Sequence, residues 1–443
     1  MVMKRIIALI LALLIVSALA ASCALRPEDT QPASSGETET NAETKTETAA
    51  DKPAVPGPSN LENKLDGFDY DLMNYVEQKL GGQSYMISPL SFKYALGMLV
   101  AGADGQTLEQ LKTAIGIDSV SELEDHIKSF NGFEGCFNEA VKKYAETYNA
   151  LPDDQKQYYD EPSGALRVAN SIWKRNDIPD FLHGYKDAVS SYYAEYRDFT
   201  LDKVIADVNA WANEKTEGMI PELLPENYDT TDLAVILMNA LYYKNAWANE
   251  FFEAPDRDFT TVKNQTVKKK FISSTENYRY YSDEQTTLVA VPMKNGVDMI
   301  FVLGSAENLT EKLSKAERRI VRVIIPEFEI ETSLSDKQLV DFLKDRGAAD
   351  AFSSKKADFS RMFDPDKETV YVDDIVQKAK IKLDKTGVEA AVVTAIMMKD
   401  ECATEVIDPI EFVADKPFRF FIMTAKTEWA AEGMVMFEGR LAE

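Results

Sequence analysis

The side chains of this sequence that could carry out covalent chemistry lie in three short motifs. Ser353–Lys356 has the form S-x-x-K, Tyr243–Asn245 has the form Y-x-N, and Lys385–Gly387 reads K-T-G. A lysine close to a serine can take up the proton of its hydroxyl and so make the oxygen a nucleophile. Together the three motifs would indicate a serine enzyme that forms an acyl intermediate.

The order of the motifs argues against that chemistry. In the penicillin-recognising enzymes that use such motifs the serine comes first, whereas here Tyr243 lies about 110 residues before Ser353. The sequence also contains no G-x-S-x-G, no glycine-rich phosphate loop and no H-E-x-x-H. A penicillin-recognising enzyme is therefore kept only as a remote alternative, and we predict that the protein is not an enzyme.

Composition excludes further classes of function. The 443 residues include 49 basic and 74 acidic side chains, which gives a formal net charge of −25. Such a chain repels phosphate backbones, so we expect no nucleic-acid partner. With two histidines and three cysteines it can form neither a multi-histidine metal centre nor a disulfide framework. We predict no metal and no cofactor. A dyad of Cys136 with a histidine is formally open, but a lone thiol more often packs in a core.

The first 22 residues have the pattern of an export signal. Lys4 and Arg5 precede an apolar run from Ile6 to Ala21, which at 16 residues is shorter than a membrane-spanning helix. Small residues come directly before Cys23, as in bacterial lipoprotein signals, where that cysteine carries lipid. We expect an exported protein that is held on the outer face of a bacterial cell membrane through Cys23, or an extracellular one if that cysteine is removed.

The following segment, residues 24–60, is rich in Thr, Glu, Ser, Ala and Pro and has almost no large apolar side chains. Such a segment cannot form a core and should remain a disordered tether. Beyond residue 60 there is no second linker and no internal repeat. The sequence therefore predicts a signal peptide at 1–22, a lipidated cysteine with its tether at 23–60, and one domain at 61–443.

Within that domain, helices are predicted mainly in the first half and strands in the second. Ser88-Pro89 predicts the start of a helix, because serine can cap free amides and proline suits the first turn. Capping boxes at Thr107–Gln110 and Ser335–Gln338 predict two further starts. Apolar runs predict strands at 234–243, 288–292, 299–303, 321–325, 418–423 and 434–437. This arrangement indicates an α+β fold with a large sheet, in which the first strand is buried on both faces and Asn239 is its one amide.

The run after Gly387 has an unusual pattern for a strand. Taking every second residue gives an apolar set, which comprises Val388, Ala390, Val392, Thr394, Ile396 and Met398. The other register contains Glu389 and Lys399 and suits a partly solvated face. No turn follows that would pair this run locally, since a polar stretch continues to Pro409. The pattern predicts a segment that becomes a strand only under some condition.

Here the sequence resembles the serpin family. The serpin hinge is similar to the run Gly387, Val388, Glu389, Ala390, Ala391, Val392, Val393 and Thr394. Phe412–Phe418 resembles the element just after the serpin reactive loop, and Phe437–Arg440 resembles the closing strand. Asn170–Trp173 and Asn239–Trp247 resemble strands of the central sheet, and Ser88–Ser91 resembles an early helix. The resemblance covers about residues 66–441.

The resemblance implies a serpin fold: a large central mixed β-sheet, surrounding helices and an exposed reactive-centre loop. It also implies a metastable inhibitor of serine proteases, with cysteine proteases as a second target class. The protease would form a covalent acyl complex, and the cut loop would insert into the sheet before the complex is hydrolysed. The sheet-opening region of the family corresponds to Ser88, Ser91, Asn239, Trp247 and Gln377. A serpin-fold binding or scaffolding protein without inhibitory activity is the alternative.

Two departures from the family bear on these expectations. Gln377 stands where a histidine is usual; glutamine can also donate and accept hydrogen bonds, but it cannot titrate. The reactive loop is about five residues longer than is typical for the family, so the reactive bond, expected between Glu401 and Cys402, could be any bond within 399–404. The longest basic run, Lys268–Lys270, is short and is typical of a solvated strand end rather than of a binding site for sulfated polysaccharide. We therefore predict no activation by heparin. We also expect a monomer.

Overall fold

Helices precede most of the strands along the chain, as the sequence predicts. The computed structural model describes residues 61–192, 194–231, 233–364, 366, 370–388, 408–425 and 433–443. Its helices are α1 Leu61–Lys79, α2 Pro89–Gly102, α3 Gly105–Ile115, α4 Val120–Asn149, α5 Asp153–Lys156, α6 His183–Ala188, α7 Val204–Lys215, α8 Leu309–Lys315 and α9 Gln338–Asp345. The predicted signal peptide, Cys23 and tether lie outside the described residues, as do Glu389–Thr394 and the bond between Glu401 and Cys402.

The strands form two sheets. They are β1 Tyr85–Ile87, β2 Ala165–Arg175, β3 Ala194–Phe199, β4 Val235–Ala246, β5 Phe252–Thr260, β6 Thr266–Ser282, β7 Thr286–Met293, β8 Val297–Gly304, β9 Glu317–Pro326, β10 Phe328–Leu334, β11 Asp374–Asp384, β12 Gly387–Val388, β13 Ile410–Val413, β14 Phe418–Thr424 and β15 Val435–Leu441. Among the described residues the first sheet has the order β10-β11-β12-β4-β2-β3, and the second β1-β15-β14-β8-β7-β6-β9-β13, with β5 also paired to β6.

The first sheet is mixed and carries a hydrophobic cluster on each face. Its inner face packs with the helix α2 and the second sheet in the main core. Its outer face is covered by α7 and by the linker 216–234 that joins α7 to β4, in a smaller cluster that includes Trp211, Met238 and Val376. Because both faces are covered, Val235–Tyr243 is buried throughout. This confirms the strand that the apolar run predicts.

The predicted helix starts are confirmed in one case and wrong in two. Ser88 caps α2, and its hydroxyl accepts a hydrogen bond from Ser91 N at 3.1 Å. Thr107 is no cap: α3 begins at Gly105, and the buried Thr107 hydroxyl accepts from Asp358 N. Ser335 lies three residues before α9, and its hydroxyl bonds to the neighbouring carboxylate of Asp336.

Candidate functional site: the slot between β4 and β11

Strands β4 and β11 pair with each other only at one end. Ile236–Asn239 lies parallel to Asp374–Gln377, and no pairing between the two strands continues beyond these four positions among the described residues. On their outer sides both strands are paired over most of their length, β4 with β2 and β11 with β10. We call the unpaired gap between residues 240–244 of β4 and 378–382 of β11 the slot; its closed end is at Asn239 and Gln377.

The two residues of β12 occupy the open end of the slot. Gly387 lies opposite Ala246 of β4 and Asp384 of β11, and Val388 lies opposite Asn245 and Leu383. The Val388 side chain is only 2% exposed and packs in the main core. The first residue of the predicted apolar set therefore already faces inward in the sheet.

Position 387 accepts only glycine. Its φ is +140°, and a Cβ there would lie 2.3 Å from Asn245 O and 2.8 Å from Ala246 Cα. The preceding turn is fixed by the amide of Thr386, which donates to Asp384 Oδ1 at 2.8 Å. Lys385 pairs with Glu253 at 2.6 Å, which lowers the pKa of that carboxyl. The K-T-G motif thus builds the turn that delivers the hinge to the slot.

Trp247 lies at the same open end and binds the turn before β12. Its indole N–H donates to Asp384 O at 3.0 Å, and its backbone N–H donates to Thr386 O at 3.3 Å. The other four residues expected in the sheet-opening region lie instead at or near the closed end. The structure therefore divides the predicted set between the two ends of the slot.

At the closed end, Gln377 binds the backbone of Ser88 in both directions. Gln377 Oε1 accepts from Ser88 N at 2.9 Å, and Nε2 donates to Ser88 O at 2.9 Å. The Ser88 hydroxyl in turn donates to Met436 O at 2.7 Å. As expected, glutamine both donates and accepts here. It joins β11 to the start of α2 and, through Ser88, to the second sheet.

Asn239 is buried at the same level of the slot. Its Nδ2 donates to Asn170 Oδ1, and Asn170 Nδ2 donates to Tyr192 O at 2.6 Å. Asn239 Oδ1 has no hydrogen-bond partner among the described residues. A buried amide oxygen without a partner is costly, so the closed sheet carries an unsatisfied group where β4 meets β11.

The two faces of the slot differ in charge. Its inner side is lined by buried apolar residues, among them Leu241, Tyr243 and Ile381. The alternate positions on the outer side carry Lys244, Lys378, Lys380 and Lys382. Lys378 pairs with Glu331 at 2.7 Å and Lys380 with Glu329 at 3.2 Å. An inserted strand would therefore need apolar residues on one face and neutral or acidic residues on the other.

Three further residues at the closed end stand in no recognisable sequence motif; they are Tyr228, Asp373 and Asp374. Asp373 Oδ2 accepts from Ala234 N at 2.7 Å and from Val235 N at 3.0 Å. Asp374 Oδ2 accepts from the Tyr228 hydroxyl at 2.7 Å, and burial raises the pKa of Asp374 to about 6. Two adjacent aspartates directly before an apolar strand were the only signal in the sequence.

The other reactive motifs have partners that do not form a catalytic group. The Tyr243 hydroxyl contacts the Met293 sulfur at 3.3 Å and accepts from Asn245 Nδ2 at 3.0 Å, and burial raises the pKa of Tyr243. Ser353 lies in a turn, where its hydroxyl accepts from Lys355 N at 3.4 Å. In the basic run, Lys268 pairs with Asp258.

Comparison with known proteins agrees with this architecture. A family model described as serpin (serine protease inhibitor) matches residues 63–443, and the chain therefore belongs to the serpin family. It is 29% identical to Serpin B6 of Bos taurus over 393 residues, covering 82% of this chain and 95% of that protein. It is 28% identical to leukocyte elastase inhibitor A of Mus musculus over 417 residues, covering 84% and 97%.

Solved structures show the same fold. Tengpin, a thermophilic serpin in its native state, superposes with a TM-score of 0.66 at 24% identity, over 88% of this chain and 97% of that one. Thyroxine-binding globulin in complex with thyroxine gives a TM-score of 0.65 at 17% identity, over 86% and 98%. In the part of the chain that the structure describes, no helix is both long and apolar enough to cross a membrane.

Proposed function

We propose that this serpin inhibits serine proteases, with cysteine proteases as a second target class, by cleavage of its reactive loop and insertion of the cut loop into the slot. The observation that carries the proposal is the slot itself, with Gly387 and Val388 already paired to both of its walls. The two strands are otherwise held together by four residue pairs at the far end. Relatives that inhibit proteases, such as leukocyte elastase inhibitor A, support the same class of activity.

The register of the two residues of β12 can be extrapolated along the slot. Continued antiparallel to both walls, it would bring Val393 opposite Ala240 and Lys378, the last unpaired positions. The next residue, Thr394, would meet Asn239 and Gln377, which already oppose each other directly. A strand inserted in this register keeps the existing alignment of β4 with β11 and only moves them one strand spacing apart, about 4.8 Å.

The composition of the hinge suits both faces of the slot in this register. Val388, Ala390, Val392 and Thr394 would face the apolar inner side, in line with the buried position of Val388. Glu389 would pass between Lys244 and Lys382 on the outer side. The hinge carries no proline and no inward charge, either of which would oppose insertion. Its valines at 392 and 393 are larger than the alanines usual in the family, which would slow insertion.

Two kinds of target protease fit the region of the expected reactive bond. Cleavage between Glu401 and Cys402 would suit a glutamate-preferring protease, and a cut one or two residues later would suit an elastase-like enzyme. Mass spectrometry of the cleaved inhibitor locates the bond, and a cut outside 399–404 would contradict this placement. We further propose that the protein acts as a monomer without heparin, on the outer face of a bacterial membrane, anchored only by lipid on Cys23.

The proposed function is tested by mixing the protein with proteases of both preferences. We expect a complex that survives boiling in detergent, and a cleaved form that melts at a much higher temperature than the native form. A serpin-fold binding protein without inhibitory activity would be cut without forming the complex. A protein that is cleaved in the loop with no complex and no gain in melting temperature would refute insertion altogether.

A further inference from the structure

The end of the linker 216–234 is continuous with the β4 side of the slot and is also hydrogen-bonded to the β11 side, where Asp373 Oδ2 accepts from Ala234 N and Val235 N. Its last residues are bonded to β2, since Arg175 N donates to Ala234 O at 2.9 Å and the Arg175 guanidinium donates to Leu233 O at 3.3 Å. The linker then continues directly into β4 at Val235. When β4 and β2 move away from β11, this end of the linker has to move with them.

Tyr228 of this linker crosses to the opposite wall. Its side chain is 9% exposed and packs in the outer cluster, and its hydroxyl donates to Asp374 Oδ2 at 2.7 Å. Asp374 is the first residue of β11 and is 1% exposed. A short, buried hydrogen bond therefore spans the closed end of the slot, at the level where β4 and β11 are still directly paired.

The same carboxylate also holds a strained turn. Asp374 Oδ1 accepts from Lys337 N at 3.1 Å. Asp336 and Lys337 are consecutive non-glycine residues in the left-handed region, with φ of +55° and +68°. Such a conformation persists only where its surroundings enforce it. Asp374 thus ties β11, the turn before α9 and the linker together at one point.

We propose that the hydrogen bond from Tyr228 to Asp374 is a latch that, beside the bonds of Asp373 to Ala234 and Val235, holds the closed end of the slot together and slows loop insertion. Insertion would separate β4 from β11 by about 4.8 Å, and a hydrogen bond of this length cannot span that added distance. Lys378 also reaches the linker, at Glu222 O, but through a long side chain that can reorient. The inference rests on the proposed function, because it concerns the step after loop cleavage.

The test compares Tyr228→Phe with Tyr185→Phe as a matched control. Tyr185 is also buried and also donates one hydrogen bond, to Met98 O at 3.1 Å, but it joins α6 to α2 away from the slot. Both native and cleaved forms of each variant are melted, and the ratio of covalent complex to cleaved inhibitor is measured with the protease that the wild type traps.

We expect Tyr228→Phe to lower the melting temperature of the native form by about 2 °C and to leave that of the cleaved form unchanged. The ratio of complex to cleaved product should rise about fivefold. Tyr185→Phe should lower both melting temperatures alike and leave the ratio unchanged. If Tyr228→Phe behaves as Tyr185→Phe does, the hydrogen bond is only structural and the latch is refuted.

If Tyr228→Phe does not fold, two variants of the acceptor, Asp374, still test the latch. Asp374→Ala removes the latch from the other side and should shift the partition in the same direction. Asp374→Asn keeps a bond, since its amide can donate to the tyrosine oxygen, and should retain a nearly wild-type partition; an alanine-like effect would count against the latch. Failure of the proposed function is seen separately, as a wild type that forms no complex and gains no melting temperature on cleavage.

Discussion

Replacing Val388 with arginine should convert the protein from an inhibitor into a substrate. Val388 is 2% exposed and points into the core between Asn245 and Leu383 at the open end of the slot. Arginine at this position would be buried without a partner, which costs several kcal/mol, and the burial of valine, worth about 1.5–3 kcal/mol, would be lost. We expect the variant hinge to leave the slot even before cleavage.

The size of the effect follows from the competition between insertion and hydrolysis of the acyl complex. Without β12 in place, insertion has to begin by pairing Gly387 and residue 388 anew, and it has to bury the arginine on the way. An increase of only about 3 kcal/mol in the insertion barrier would slow insertion roughly 100-fold. The protease would then be released far more often than it is trapped, while still cutting the same bond.

The assay is a titration of active protease with wild type and variants, followed by melting of the cleaved forms. Val388→Ala keeps this buried position apolar and introduces no charge or hydroxyl, so it should still inhibit. Glu389→Gln changes the neighbouring residue on the outer face and should also inhibit. If Val388→Arg forms stable complexes near one to one, insertion does not begin at these residues and the assigned register fails.

Three further outcomes are expected. Glu389→Lys places a third lysine between two others in the inserted strand and should slow insertion up to about tenfold, an effect that weakens with added salt. Glu134 accepts from Val168 N, and burial raises its pKa from 4.5 to about 7. The native form should therefore lose up to about 3 kcal/mol as the pH rises from about 4.5 to 7, and Glu134→Gln should remove this dependence from native melting curves. Cys23→Ala should release the protein from membranes or leave its precursor unprocessed; a wild type that is wholly soluble and begins at Ala21 would refute lipidation.

Local sequence patterns predicted the parts of the site that depend on near neighbours. Serine followed by proline identified the start of α2, because the cap involves residues three apart in the chain. The alternation of apolar residues after Gly387 assigned an inward face to Val388, and the structure buries that side chain. The apolar run at 234–243 indicated a strand covered on both faces, since such runs have no solvated side.

The failures came from contacts that are distant along the chain. Thr107 looked like a cap, but its hydroxyl binds Asp358, 251 residues away. The turn after Ser335 is shaped by Asp374 of another strand. The slot itself could not be read from the sequence, because it is defined by where the pairing of β4 with β11 stops. That boundary depends on which strands become neighbours, and no local propensity encodes it.

The structure also indicates where the barrier to the proposed insertion should lie. Residues 389–393 would enter a gap whose walls are not paired with each other, so each step would add hydrogen bonds to β4 and β11 without breaking a pair between them. From Thr394 onward each step has to separate an existing pair, beginning with Asn239 and Gln377, and then to open the fastening at Asp373 and Asp374. At that first pair Asn239 Oδ1 is buried without a partner. The Thr394 hydroxyl would face inward there, where a donor can satisfy that oxygen. With the wild-type hinge, insertion should therefore be favourable over its first half and limited by the residues of the closed end.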